Sequence, residues 1–181
     1  MSRHADELAP FILVVDSREQ LPYSFDGIAR SIRAALPAGD YSIVGHEGSF
    51  VVERKSLQDA YSTFSSGRER FVRELEKLRT YELAVILIEG SLDDVLDNRP
   101  GHVRHVQPAT VVNSLLSWQV EYGVTPIFGS IDRDRSRALV FRLAERFWRR
   151  KHPGPEASAP DQSREPQEPR DPRDSGRPSR A

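Results

Sequence analysis

The 181-residue chain contains no cysteine. That absence removes a disulfide framework, a zinc–thiolate centre and a cysteine nucleophile together. Any metal must be held by oxygen ligands or by histidine. Long apolar runs are missing too. No stretch reaches the roughly 20 residues that cross a bilayer, and the first ten residues, which include His4, Asp6 and Glu7, lack the apolar core of a secretory signal. The default expectation is an intracellular protein of cytoplasm or nucleoid, with no membrane contact. A surplus of one charge is also missing: charged residues make up 29% of the chain, yet its formal net charge is -1. Total charge therefore does not mark a nucleic-acid binder, although segregated charge on a folded surface still can. There is no Walker phosphate loop, no dinucleotide glycine fingerprint and no G-x-S-x-G elbow, which leaves a generic small-molecule enzyme as the weakest of the functional classes.

What is present divides unevenly along the chain. The hydrophobic fraction is 38%, low for a compact enzyme, and the deficit sits at the ends. Residues 1–9 are polar and expected to be flexible. Residues 152–181 are rich in Pro, Ser, Arg, Asp and Glu and carry no large apolar side chain, so they cannot bury enough surface to offset ordering entropy and are expected to be disordered. Residues 10–151 form a single block. FILVVD (Phe11 to Asp16) and LAVILIEG (Leu83 to Gly90) read as buried strands. DYSIV and SFVVERK, separated by the turn signal GHEG, read as a hairpin. Arg30 to Leu36 reads as a short helix or irregular chain. Helices are expected at Gln58 to Ser65, after Gly67, at Gln107 to Tyr122 (Pro108 near its start, Gly123 past its end) and from Asp132 to Arg150, with a helical turn in SLDDVLDN and a short strand in VTPIFG. The spacing predicts a three-layer α/β domain whose hairpin makes the central sheet mixed.

Several acids stand where strands end or restart. Asp16 closes the first strand, Glu19 follows in the next turn, Asp40 opens the hairpin, and Glu53 lies in its second strand. Acids at neighbouring strand ends of an α/β sheet can converge on one point. Clustered carboxylates repel one another, and a divalent cation with oxygen ligands is the usual compensation. Glu53 and Lys55 are two apart on an extended strand and so share a face, with Arg54 on the other. A carboxylate and an ammonium on one face suit metal-assisted phosphodiester cleavage. Taken singly, D-x-R-E is also a turn with a helix cap, and E-R-K is also a charged strand edge that guards against aggregation. Their joint order points to a site.

VVDSRE (Val14 to Glu19), GDY (Gly39 to Tyr41) and VERKSLQD (Val52 to Asp59) together resemble the nuclease domain of the XPF family of structure-selective DNA endonucleases. That family is marked by G-D followed by E-R-K-x-x-x-D, here Gly39, Asp40, Glu53, Arg54, Lys55 and Asp59. SSGRERF (Ser65 to Phe71) is similar to the family's G-R segment, and ILIEG to its next core strand. The resemblance covers about residues 11–150. It implies a restriction-endonuclease-like fold and a metal-dependent endodeoxyribonuclease, acting on branched or single-strand-containing DNA in repair or recombination. It implies Asp16, Asp40 and Glu53 as ligands of Mg²⁺ or Mn²⁺, Glu19 as an auxiliary acid and Lys55 as the electrostatic catalyst. Arg54, Asp59 and Arg68 would be supporting residues, and Arg68 and Arg18 DNA contacts. A mutual or local ion pair is the alternative role for Arg54 and Asp59.

The family's tandem helix-hairpin-helix domain and helicase motifs are not found in this sequence, so the expectation is a stand-alone nuclease domain. Partners implied are DNA and either a second copy or a separate DNA-binding or helicase subunit. The competing expectation is a non-catalytic DNA-binding or scaffolding subunit; the presence of Asp40, Glu53 and Lys55 separates the two. Trp118 and Trp148, on helices with apolar neighbours, are expected in core or dimer contacts. His102 and His105 are expected in a surface loop.

Overall fold

The alternation in the sequence resolves, in a computed structural model, into six strands and five helices over the described residues, 8–64, 67–97 and 106–153. The RPGHVRH loop lies outside them, as do nearly all of the N-terminal and Pro-rich segments, so the expectations for those parts are not addressed. In chain order the elements are β1 (Ile12–Asp16), β2 (Arg30–Ala34), β3 (Tyr41–Ile43), β4 (Phe50–Ser56), α1 (Leu57–Thr63), α2 (Arg68–Leu78), β5 (Leu83–Glu89), α3 (Leu92–Leu96), α4 (Pro108–Tyr122), β6 (Thr125–Phe128) and α5 (Arg133–Lys151). Local chemistry sets the boundaries. Proline in the first turn starts α4, where its missing N–H costs nothing, and Gly123 ends that helix in the left-handed conformation at φ 68°. The Asp132 side chain accepts the Asp134 N–H to cap α5.

The segment from Arg30 is a strand, not a helix. β2 pairs in parallel with β1 at the edge of the sheet. Four of its five residues are exposed, so it has no buried face to print an alternating pattern on its sequence; backbone pairing alone selects its conformation.

The sheet runs in the order β2-β1-β3-β4-β5-β6. β1 is parallel to β2 and antiparallel to β3; β3 is antiparallel to β4; β4, β5 and β6 are mutually parallel. Every strand but β3 therefore points the same way, and the start of β3 lies at the edge where the other strands end. Side chains alternate across the sheet and feed two cores. Val51, Ala84, Ile86 and Ile88 pack with Leu57, Tyr61, Phe71, Leu75, Leu115 and Trp118, so α1, α2 and α4 cover one face. Phe50, Val52, Val85 and Leu87 pack with Val140, Ala144 and Phe147 of α5 on the other. Burial on both faces explains the unbroken apolar run of β5. Trp118 is in the first core, and Trp148 packs at the border of the second. The expected three-layer mixed α/β fold is the one observed.

Candidate active site

The strand directions decide where the acids meet. Asp16 and Glu89 close β1 and β5, Glu53 and Lys55 lie in the last half of β4, and Asp40 immediately precedes β3. All of them fall at one edge of the sheet, where open α/β sheets bind ligands. Backbone pairing fixes the neighbours: Asp16 N–H donates to Asp40 C=O at 2.8 Å, and Asp40 N–H to Val52 C=O at 2.9 Å. Gly39 makes this approach possible. Its φ is +69°, and a Cβ there would overlap the Val51 side chain.

Asp16, Asp40, Glu53 and Lys55 line one cleft with Arg18, Arg70, Phe71 and Glu74. It adjoins a larger, open cleft that adds Glu19, Arg54, Asp59 and Gly67. Lys55 Nζ stands 3.7 Å from Glu53 Oε1 and 4.3 Å from the centre of the Phe71 ring, so its position is held from two sides. The period of two holds. Glu53 and Lys55 face the α2 side with Val51, while Arg54 follows Val52 toward α5. There Arg54 Nη1 donates to Glu89 Oε2 at 2.7 Å, and Nη2 to Glu19 Oε1 at 3.1 Å. Glu89 also accepts from Tyr23 Oη at 2.6 Å and from Arg133 Nη1 at 2.9 Å.

The carboxyls differ in electrostatic character. Burial, then the neighbouring Glu53 carboxylate, pushes Asp40 up to about 8, against one stabilising bond from Arg54 N–H to Oδ2 at 2.7 Å. Burial raises Glu53 as well, with Lys55 opposing it. Burial also pushes Glu19 upward, but the bonds from Arg54 and Leu21 N–H overcome it, and its net shift is downward. Asp16 is held at about 2 by the Arg18 side chain, which outweighs its burial. Asp40 and Glu53 are therefore two under-compensated acids side by side.

A divalent cation suits that pair: two adjacent carboxylates, no soft donor and an open cleft form a hard-oxygen donor set. Asp16 is engaged differently. Its Oδ1 accepts from Arg18 N–H and Nε, and its Oδ2 accepts from Arg18 Nη2 and Leu36 N–H. Among the described residues no three acidic or histidine side chains form a ready cage for a metal. The Arg18 side chain is 67% exposed, so only its own bonds keep it on Asp16.

Of the other expected site residues, Glu19 stands beside Asp40 and is tied to Arg54. Asp59 lines the open cleft, but its carboxylate accepts from Ser56 Oγ at 2.7 Å, a local cap and not an ion pair with Arg54. Arg68 does not line either cleft; it lines a separate cavity between α2 and α4. Arg70 takes the place expected of it, because two residues along a helix rotate a side chain by about 200°. Sequence reasoning missed Arg70, Glu74 and Glu89. Only Glu89 carried a usable signal, as an acid closing an apolar strand just as Asp16 does.

A mixed sheet between two helical layers, with its acids gathered at the common strand edge, defines the three-layer α/β class of the XPF nuclease fold. The ERCC4 domain model matches residues 15–136, about two thirds of the chain, and the protein belongs to that family. No curated protein matches it. Among solved structures, XPF from Aeropyrum pernix is similar at TM-score 0.60 and 23% identity, covering 78% of this chain and 67% of that one. The Aeropyrum pernix XPF structure in complex with DNA is similar at TM-score 0.57 and 22% identity, covering 78% and 66%. At these identities the likeness is one of fold. Among the described residues no helix is long and apolar enough to cross a membrane.

Proposed function

We propose that the protein is a divalent-metal-dependent DNA endonuclease whose active site is the edge cleft holding Asp40, Glu53 and Lys55. The observation that carries this is the pairing of two mutually repelling carboxyls with a fixed ammonium two residues along the same strand face. Membership of the ERCC4 family and the likeness to a fold solved with DNA support it.

In this reading Asp40 and Glu53 hold Mg²⁺ or Mn²⁺, and Asp16 joins them when Arg18 releases it. When bound, the cation supplies a water of lowered pKa and polarises the phosphate. The protein's residues do the rest. Lys55, fixed by Glu53 and the Phe71 ring, offsets negative charge that develops on the phosphate during cleavage. Arg18 and Arg70, exposed at the cleft rim, hold flanking phosphates. Glu19 lies beside Asp40 and acts as an auxiliary acid there, while Arg54, locked between Glu19 and Glu89, keeps it in place. The substrate is branched or single-strand-containing DNA, in repair or recombination, inside the cell. A second copy or a separate DNA-binding or helicase subunit is its proposed partner.

The test uses labelled single-stranded, duplex, flap and forked DNA with Mg²⁺, Mn²⁺ or EDTA, and an Asp40→Ala control. Metal-dependent cleavage that the substitution lowers at least ~100-fold is expected. DNA binding without cleavage under every condition would replace this reading with a scaffolding role.

A further inference from the structure

Beside the cleft lies a cavity of about 310 Å³ that the catalytic reading leaves unused. It opens between α1, α2 and α4. One wall is aromatic: Phe64 stacks on Trp118 with ring centres 5.1 Å apart, and Phe71 meets the same indole at 4.6 Å. The rest of the lining is largely polar: α4 contributes Asn113, Ser114 and Ser117, with Glu121 near its end, and α2 contributes Arg68. Among the described residues none of the Asn113, Ser114, Ser117 and Arg68 side chains has a hydrogen-bond or ion-pair partner. The small serines leave the space open next to a large buried indole.

The cavity and the catalytic cleft share walls. Thr63 lines both the cavity and the open cleft, and Phe71 lines both the cavity and the inner one. The Phe71 ring meets both the Trp118 indole and Lys55 Nζ. Between the two spaces stands the start of α2, whose N-cap is Gly67 and which no side chain caps. Its first turn carries Arg68 toward the cavity and Arg70 toward the cleft.

We propose that this cavity receives one unpaired nucleotide of the substrate strand next to the cut. The inference rests on the nuclease reading above. The chemistry matches a nucleotide part by part. Aromatic rings suit the face of a base. A carboxamide and two hydroxyls offer donors and acceptors for its edge. A guanidinium beside an uncapped helix start suits a phosphate. The volume lies at the small end of ligand pockets, about 300–1,000 Å³; it admits a single base and excludes a duplex. A strand can then run from cavity to cleft past α2, with one phosphate at Arg68 and another at Arg70.

The experiment removes one base at a time from a cleavable strand, on both sides of the cut. At one position near the cut, loss of the base lowers kcat/KM about 10-fold, and in Asn113→Ala that penalty shrinks, whereas Arg68→Ala lowers cleavage of the intact and the abasic strand alike. A flat scan by protein that cleaves the intact strand overturns the subsite and leaves the nuclease reading standing, as does a base penalty unchanged in Asn113→Ala. A second measurement does not depend on cleavage. In a Trp148→Phe protein Trp118 is the sole indole. Its fluorescence should change on adding a single-stranded trinucleotide in EDTA, and Arg68→Ala should weaken that response about 10-fold. No response overturns the subsite; a response in a protein that cleaves nothing retains it and removes the nuclease reading alone.

Discussion

Arg18 grips Asp16 with two parallel bonds, Nε to Oδ1 and Nη2 to Oδ2, each 2.8 Å long. A guanidinium thus stands on a carboxylate that the proposed function makes a metal ligand, and on that reading the protein's own cation would compete with the metal for it. Arg18→Ala should tighten Mn²⁺ binding several-fold by calorimetry while lowering the stability of the metal-free protein by about 1 kcal/mol, a modest loss because the arginine is mostly exposed. Weaker Mn²⁺ binding in the variant would show that Arg18 assists the site instead.

Asp40 makes the opposite prediction. Its carboxyl is half-buried beside Glu53 and raised to about 8, so at higher pH its charge destabilises the metal-free fold. Asp40→Asn should abolish cleavage yet raise stability at pH 8 by about 1–2 kcal/mol, discounted for the solvent that still reaches the side chain. Urea unfolding in EDTA reads this. A variant less stable than the parent at pH 8 would contradict it.

The two aspartates together shape the pH profile of the metal-free protein. Between 3.8 and about 8 the folded protein keeps the Asp40 proton that the unfolded chain has released, so this contribution is full at low pH and is lost as pH rises through 8. Asp16 does the reverse: held at about 2, it stabilises above 3.8, and that stabilisation is lost as pH falls toward 2. Melting temperature in EDTA should therefore peak at about pH 4 and fall toward pH 8, where Mg²⁺ should restore stability. A melting temperature climbing steadily from pH 5 to 8 in EDTA would be inconsistent with a raised Asp40.

Glu89 ties three elements at the site's rear. It accepts from Tyr23, from Arg54 and from Arg133 in the first turn of α5. Removing it leaves Arg54 short of a partner in a nearly buried position. Glu89→Ala should cost about 3 kcal/mol, and Glu89→Gln clearly less, since an amide oxygen still accepts. In the Gln variant kcat should fall more than KM changes, because Arg54 holds Glu19 beside Asp40. Unchanged kcat in a folded Glu89→Gln protein would detach this cluster from catalysis.

Much of this arrangement was legible because it follows from strict periods. Acids at strand ends and the E-x-K alternation needed only the strand geometry of β1 and β4, and buried strands announce themselves by composition. β2 was not legible, since an exposed edge strand has no buried face to leave a pattern. The helix starts after Gly67 as the spacing predicts, but the sequence alone does not show which residue of its first turn faces the acids: successive residues are rotated by about 100°, and Arg70, not Arg68, lines the cleft. The role of Glu89 depends on Arg133, 44 positions away, and on Arg54, 35 away. No local pattern encodes such pairs. The grip of Arg18 on Asp16 was hidden for another reason: D-x-R-E names both residues but not which partner each prefers without a metal.

Gly39 offers the last test, because it sets the spacing of the whole edge. Its backbone is left-handed at φ +69°, and a Cβ would meet Val52 C=O at 3.1 Å and overlap Val51. Val51 is fully buried and cannot move aside cheaply. Gly39→Ala should therefore cost about 2–4 kcal/mol, from left-handed strain and overpacking together. The substitution pushes β3 away from β4, and with it Asp40 away from Glu53. Mn²⁺ affinity should fall even in the fraction that remains folded. Val51→Ala in the same chain removes the methyl groups that the new Cβ meets, and should recover part of both losses. Recovery of stability without recovery of Mn²⁺ affinity would show that Gly39 serves the fold and does not set the distance between the two carboxyls.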